Sequence, residues 1–407
     1  MKESDTVAGV QLGARLIEES VRWNADLDVA GVHREYLENT YPSSTLAWVL
    51  ARASATILPR HVTWELQDNY GQTAADAFGA IEPNDRQNTN FFTTGPNLRF
   101  AFGRLERLDI QGRYSDVRYS ETSDLNNHRV SGSATVVHRW TAIRQVSLEG
   151  YTEHVTFDRD DLFRNYDLRS AFLALRSDGR RTVTELSLGA SEVDDGRTTR
   201  NSTLASLALT HRLTAVSSVE AYVRRGFSDS ADSFRIGQGG TEQVLIDQNV
   251  QVVAQPFVET RLDLSFVAAL RRSSYRLSTS VIKEDYQDLA TLNRKRIQID
   301  ARANYVWASL MRTDLFATYS KGTYELIARD TRDVSFGLAV VQPLQGGLDV
   351  ILRLERYDRS SDVNPFAENR AVLALTWSPP RRAMEEGPAR NVFDRIRGTN
   401  SQSILNQ

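Results

Sequence analysis

Cysteine is absent from this chain of 407 residues. Disulfides, iron–sulfur clusters and thiol nucleophiles are therefore excluded, and an oxidising compartment is allowed without being required. Histidine is scarce. His33, His61, His128, His138, His154 and His211 are scattered, with no HExxH or other paired ligand spacing, so neither a metal centre nor a cofactor is expected. A glycine-rich phosphate loop and a GxSxG elbow are both missing. Catalytic groups can converge from distant strands without a motif, but nothing in the chain points to an enzyme. Long apolar runs are missing too: mean hydropathy is -0.41, and no stretch approaches the roughly 18 residues of a membrane helix. Neither sign of charge is in excess, since 49 Lys and Arg face 52 Asp and Glu for a net charge of -3. That balance is spread along the chain and leaves no electrostatic footprint for nucleic acid. The opening residues, MKESDTVAGVQLG, contain neither the basic nor the apolar region of a secretory leader.

What the chain has in abundance is alternation. In residues 261–272, RLDLSFVAALRR, one side carries Leu262, Leu264, Phe266, Ala268 and Leu270, and the other carries Arg261, Asp263, Ser265 and Arg271. This is the period of a β-strand. Soluble strands run about 5 to 6 residues, whereas a tilted strand needs about 9 to 11 to cross a bilayer. From residue 21 onward about eighteen such runs follow one another, from VRWNADLDVAGV through VLIDQNVQVVAQ and RLDLSFVAALRRSSYR to NRAVLALTW. A soluble propeller or β-solenoid would use shorter strands and repeat a motif every few tens of residues, and no such repeat occurs.

The connections alternate in kind. Tight ones are predicted at 59–60, 104–106, 140–143, 177–181, 214–217, 256–260, 309–311 and 345–347. Longer polar ones are predicted at 72–90, 121–126, 158–165, 229–243, 278–293 and 360–368. Short turns on one rim and long loops on the other are the pattern of an outer-membrane barrel. The expected fold is all-β: a transmembrane antiparallel up-and-down β-barrel of about 18–20 strands over residues 1–379, with a flexible periplasmic tail at 380–407. Parity adds a further expectation. Counting back from a final strand that ends on the short-turn side, residues 6–20 form a strand that starts outside the cell, so a leader and one first strand are expected to be missing from the chain as given.

The period assigns faces. In LDVILRLERYD the lipid-facing set is Leu348, Val350, Leu352 and Leu354, and in RIQIDARANYVW it is Ile297, Ile299, Ala301, Ala303, Tyr305 and Trp307. Arg or Lys near the bilayer midplane costs about 2 to 4 kcal/mol on a lipid face, so the opposite face takes the charges. Arg113, Arg169, Glu185, Asp263, Arg271, Arg296, Asp300, Arg302, Arg353 and Glu355 are expected to line the lumen. Two roles are open to them: selecting polar or sugar-like solutes, or pairing across strands to keep a wide, wet interior soluble. A barrel of this size encloses an aqueous channel unless a loop plugs it. Aromatics at strand ends, among them Trp23, Tyr119, Trp140, Tyr151, Phe157, Tyr275, Tyr305, Trp307, Tyr357 and Trp377, are expected to form interfacial girdles.

One segment carries a resemblance. DNYGQTAADAF at 68–78, PNDRQN at 83–88 and TTGPNL at 93–98 are similar to the outer-membrane β-barrel proteins found with exosortase and PEP-CTERM exopolysaccharide gene clusters, a β-barrel porin family. Asn84, Arg86, Gly95 and Pro96 stand in the matching stretches, where turn chemistry is the simpler explanation for the glycine and prolines. The resemblance implies outer-membrane location and an association with polysaccharide or its export apparatus, and it supplies no catalytic residues. The aromatic end of NRAVLALTW resembles the final strand that barrel assembly machinery recognises. Outer-membrane lipid, that machinery and polysaccharide are thus the expected partners. The leading functional expectation is a non-enzymatic barrel supporting exopolysaccharide export or envelope organisation. A general diffusion porin is the alternative, and an outer-membrane hydrolase a more distant one.

Overall fold

A computed structural model describes residues 5–73, 75, 85–234, 252–287, 289–326, 330–361 and 365–377. Nineteen strands account for most of them. They are β1 (Val7–Glu19), β2 (Trp23–Tyr36), β3 (Ser44–Leu58), β4 (Val62–Thr73), β5 (Gln87–Phe102), β6 (Glu106–Tyr119), β7 (Asn127–Thr141), β8 (Arg144–Phe157), β9 (Tyr166–Asp178) and β10 (Thr182–Asp194). They continue as β11 (Thr199–Arg212), β12 (Ser217–Ser228), β13 (Phe257–Ala269), β14 (Ser273–Asp285), β15 (Arg294–Val306), β16 (Arg312–Tyr324), β17 (Thr331–Pro343), β18 (Leu348–Ser361) and β19 (Phe366–Trp377). Each pairs antiparallel with the next in sequence, from β1 with β2 to β18 with β19. The shortest strands have 12 residues, about 40 Å at roughly 3.3 Å per residue, which exceeds the hydrocarbon thickness even with tilt.

Two rims result. On one, the chain reverses in a few residues: Gly179 N–H donates to Thr182 O at 2.9 Å, and Leu270 N–H donates to Ser273 O at 2.7 Å. The left-handed residues Arg60, Gly103, Leu310, Gly346 and Gly347 all lie in turns of this rim. The other rim carries the longer connections, including 120–126, 158–165, 229–256 and 286–293. β1 and β19 both run toward the short-turn rim, and among the described residues no ladder joins them.

Sequence and structure differ at three places. The run 261–276 is two strands rather than one, broken by a turn at 270–272 that has no glycine, proline or asparagine to mark it, and the second strand continues through 278–285, which were expected to belong to a long connection. The tight turn expected at 256–260 falls in the start of β13, and of the strand expected at 244–255 only 252–255 is described, where it is not a strand. Third, β5 begins at Gln87, so Gly95 and Pro96 lie inside a strand and not in a turn. There the pairing of β5 with β6 skips from Thr94 opposite Tyr114 to Asn97 opposite Gln111. Pro96 has no N–H to offer, and a Cβ on Gly95 would stand 2.0 Å from the Gly112 carbonyl oxygen. This glycine serves a close backbone approach. Asn84 and the tail 380–407 lie outside the described residues.

The two faces separate cleanly. Leu262, Leu264 and Phe266 keep 37–41% of their surface exposed, and Leu352, Leu354, Leu373 and Leu375 more. On the opposite face, Arg129 in β7 reaches Asp229 beyond β12, and Ala231 packs among Phe91, Val117 and Tyr119 of β5 and β6. Contacts between segments so far apart in the ladder require the concave side of a curled sheet. The charged face is therefore interior and the leucine face exterior, the reverse of a soluble protein and the arrangement hydrocarbon demands.

Aromatics divide by rim. Trp23, Trp140, Tyr275, Tyr305, Trp307 and Trp377 are exposed at the short-turn end, where they form an interfacial belt. The girdle expected at the other end is different. Tyr119 and Phe157 are buried inside, while the Tyr151 and Tyr357 hydroxyls donate to interior carboxylates.

Candidate functional site: a loop fastened across the lumen

Among the described residues, both arms of the connection from β12 to β13 reach into the interior. Just past the end of β12 the chain makes a short 3-10 turn, Ser230–Phe234. The Asp229 carboxylate accepts from Asp232 N–H at 3.0 Å, and the Asp232 carboxylate accepts from Asp229 N–H at 3.2 Å and from the Ser228 hydroxyl at 3.1 Å. This reciprocal capping rigidifies the turn locally. The Ser230 hydroxyl then joins the outgoing and returning arms, donating to Val253 O at 3.1 Å and accepting from Val253 N–H at 2.9 Å.

The turn does not stand above the rim. Its Asp229 Oδ2 accepts from Arg129 Nη1 of β7 and from the Tyr166 hydroxyl of β9, each at 2.5 Å. Arg129 also donates to Glu153 of β8 at 3.3 Å and through Nε to Asn127 at 2.8 Å. The Arg129 and Asp229 side chains are only 4% and 10% exposed. Removing both charges from water costs several kcal/mol apiece unless every polar atom finds a partner, and here the tyrosine hydroxyls and Asn127 supply the additional partners. Apolar packing covers both flanks. Ala231 and Val252 sit on Phe91, Val117 and Tyr119. Phe227, Val258 and Ala254 sit on Val155, Phe157, Tyr166 and Val193. The ladder between β11 and β12 stops at Ala205 opposite Arg225, which frees the top of β12 to lean inward.

Two similar sets stand elsewhere on the inner wall near the long-loop rim. Arg294 holds Glu284 with two bonds of 2.6 and 2.8 Å, beside the Tyr286 hydroxyl at 3.3 Å. Arg359 and Tyr357 donate to Asp333 at 2.8 and 2.7 Å. These sets tie neighbouring strands, whereas the Arg129 set ties the wall to a loop.

Toward the short-turn rim the inner wall is wetter and mixed in sign. Arg113 bonds Glu65 at 2.8 Å, Asn97 at 2.5 Å and the Pro96 carbonyl at 2.9 Å. Arg176 faces Glu185 at 3.4 Å, Arg261 donates to Asp263 at 2.6 Å, and Gln298 and Thr318 each donate to Asp300 at 2.9 Å. Glu355 lies between Arg353 and Arg370, and the Arg353 guanidinium covers the Phe316 ring at 4.4 Å. Arg296 and Arg302 share the face of Asp300, with Arg302 exposed. Two expected residues stand elsewhere. Arg169 is on the outer face with Leu173 and Leu175, three residues from the strand's start, where it meets Glu192 at 3.9 Å. An outward charge is tolerated there because it lies at the rim and not at the midplane. Arg271 is in the 270–272 turn, which the uninterrupted alternation of RLDLSFVAALRR concealed. Arg86 lies just before β5, within electrostatic range of Arg34 and Arg370.

Sequence reasoning missed Arg129, Glu153, Tyr166 and Asp229. Their alternation says only that three of them face inward. The available signal was SDSAD at 228–232, a cap-and-turn pattern at the start of the longest connection.

No family model and no curated protein matches the chain. Solved structures do. The chain is similar to the FrpB iron transporter from Neisseria meningitidis, F5-1 variant apoprotein form, at 10% identity and a TM-score of 0.56 over 93% of this chain and 74% of that one. It is similar to a mutant of the ferric enterobactin receptor PfeA from Pseudomonas aeruginosa, at 8% identity and TM-score 0.53 over 91% and 70%. The copper transporter OprC matches at 12% identity and TM-score 0.50 over the same shares. Likeness at these identities establishes the fold, which is that of the outer-membrane β-barrels.

Proposed function

We propose that this chain is a non-enzymatic outer-membrane barrel that passes a selected polar solute through a lumen narrowed by the β12–β13 connection. The observation that carries the proposal is the buried Arg129–Asp229–Tyr166 attachment, which holds the start of that connection against the inner wall at β7 and β9. The attachment is buried and well partnered, so the described arms of the connection stay inside the lumen and a solute must pass beside them. The paired Arg and carboxylate side chains below it suit a hydrated polar cargo. Iron, copper and enterobactin belong to the names of the similar structures, and they support selective transport as a class. The resemblance in residues 68–98 supports the finer reading, in which the cargo or partner is a polysaccharide or its export apparatus.

Planar-bilayer conductance of the full chain tests the proposal. Small or infrequent steps are expected for the wild type, and larger or longer-lived steps for Arg129→Met. Large, steady wild-type steps that Arg129→Met leaves unchanged would return the reading to a general pore. Loss of surface polysaccharide on deletion of the gene would support the finer reading, and unaltered polysaccharide would remove it.

A further inference from the structure

The outer face carries one feature that the lumen does not explain. On four adjacent strands, Lys283 of β14, Lys295 of β15, Lys321 of β16 and Arg332 of β17 all stand on the leucine side, close to the long-loop rim. Lys283 is directly opposite Lys295 in the ladder, and Lys321 is directly opposite Arg332. Lys295 faces Thr323, two residues from Lys321, so the four cations form a continuous row. Like charges placed opposite each other destabilise a strand pair, and here two such pairs are adjacent.

Internal compensation is incomplete. Lys283 reaches Asp285 at 2.7 Å and Glu325 at 3.3 Å. Arg332 lies over the Tyr319 ring at 5.6 Å. Lys295 and Lys321 are exposed, and neither makes an ion pair among the described residues. Two further carboxylates stand nearby among the described residues: Asp330, just before β17, and Asp358 of β18, which is opposite Val334 on the same face and is paired with Arg356 at 3.4 Å. Immediately toward the short-turn rim the same face turns apolar, with Val281, Ile297, Ile299, Val334 and Phe336. The row thus sits where an apolar band meets water on the external side, the depth at which lipid headgroups lie.

We propose that Lys283, Lys295, Lys321 and Arg332 form a binding site for the phosphate groups of an outer-leaflet lipid. The site rests on the outer-membrane reading above and adds a specific lipid contact to it. Phosphate oxygens supply the acceptors that the ladder leaves out, and the lipid's acyl chains lie along Ile297, Ile299 and Phe336. Ammonium groups on flexible stems suit a point-charge contact with phosphate.

The test uses the full chain, folded and purified in zwitterionic detergent, with diphosphoryl lipid A and its dephosphorylated form as probes in native mass spectrometry. The double variant K295Q/K321Q is expected to hold diphosphoryl lipid A roughly 30-fold more weakly than wild type, the effect of two basic groups beside an anionic lipid surface. The difference should shrink in about 1 M salt, and the dephosphorylated probe should not distinguish the proteins. In phosphatidylcholine vesicles the variant should be at least as stable as wild type, because its substitutions relieve both like-charge pairs. Equal retention of diphosphoryl lipid A by the two proteins would overturn the site. Insertion into phosphatidylcholine vesicles is followed in parallel. A chain that inserts but shows no phosphate preference removes this inference alone, whereas a chain that fails to insert removes the barrel reading and this site with it.

Discussion

Arg129→Met is the substitution that most directly tests the fastened loop. Methionine keeps much of the arginine stem's volume but removes the charge that Asp229 and Glu153 share, and Glu153 keeps the Tyr151 hydroxyl. Asp229 loses one wall donor and keeps the Tyr166 hydroxyl and the Asp232 N–H. Breaking a buried pair outright costs about 3 to 5 kcal/mol, but with those partners retained the loss is nearer one charge-assisted hydrogen bond, about 2 kcal/mol. That shifts the ratio of released to fastened loop by roughly 30-fold. The lack of native cysteine makes this measurable. Ala231, 1% exposed in its cluster, becomes a single-site reporter as Ala231→Cys, and its reaction with a maleimide reports how often the loop leaves the wall. Any cost of the larger side chain is common to both proteins and cancels in the ratio. Labelling should be about 30-fold faster in A231C/R129M than in A231C, and several-fold faster in A231C/Y166F, which loses one hydrogen bond. Equal labelling rates in all three would refute the attachment as the restraint on the loop, whatever the conductance shows.

Other expectations concern the wall. Gly95→Ala forces a Cβ to within 2.0 Å of the Gly112 carbonyl; overpacking of about 3 kcal/mol or more should abolish the mobility difference between unboiled and boiled protein on a gel, while Gly103→Ala, with open space around it, costs only about 1 kcal/mol for its positive φ. Leu264→Lys on the outer face should destabilise the barrel in phospholipid vesicles by about 2 to 4 kcal/mol in urea titration, and Ser265→Lys, one residue along and facing the lumen, by much less. In the loop between β10 and β11, burial alone would raise the Asp195 carboxyl, but hydrogen bonds from the Thr198 and Arg197 backbone, the Thr198 hydroxyl and the charge of Arg200 together hold it below the ordinary carboxylate value. A depressed carboxyl stabilises the fold above its unfolded value, about 3.9, and that contribution is lost as pH falls through the folded value. Asp195→Asn should therefore lower the gel-shift melting temperature at pH 7, and the deficit should disappear on acidification below pH 4; a deficit independent of pH would contradict the assignment.

How much of this was legible in the sequence differs by element. β8, at residues 144–157, could be read to the residue because both flanking connections change composition abruptly. β13 and β14 could not be separated, since Leu270 continues the apolar alternation and Arg271 the polar one, and a turn closed by one backbone hydrogen bond leaves no compositional mark. The same ambiguity placed Arg271 on the wall. Arg169 failed for a related reason: period 2 assigns faces within a strand but not which face is inside, and only the ladder from Glu153 through Leu168 to Val193 fixes it. Gly95 and Pro96 have turn composition, and pairing between two backbones put them in mid-strand.

The sequence by itself determined the architecture. Long runs of period 2, joined alternately by short and long connections, with no apolar helix and no cysteine, point to antiparallel strands laddered in sequence order with their charges kept from hydrocarbon. That information is local, because strand period, length and turn composition are properties of neighbours in sequence. The tertiary structure alone decided what the interior holds. Arg129 and Asp229 are 100 residues apart, and the row from Lys283 to Arg332 exists only through the registers of three successive ladders. Curling of the sheet creates the first, since it brings distant strands to one cavity, and strand register creates the second, since it sets unrelated charges side by side on one outer face.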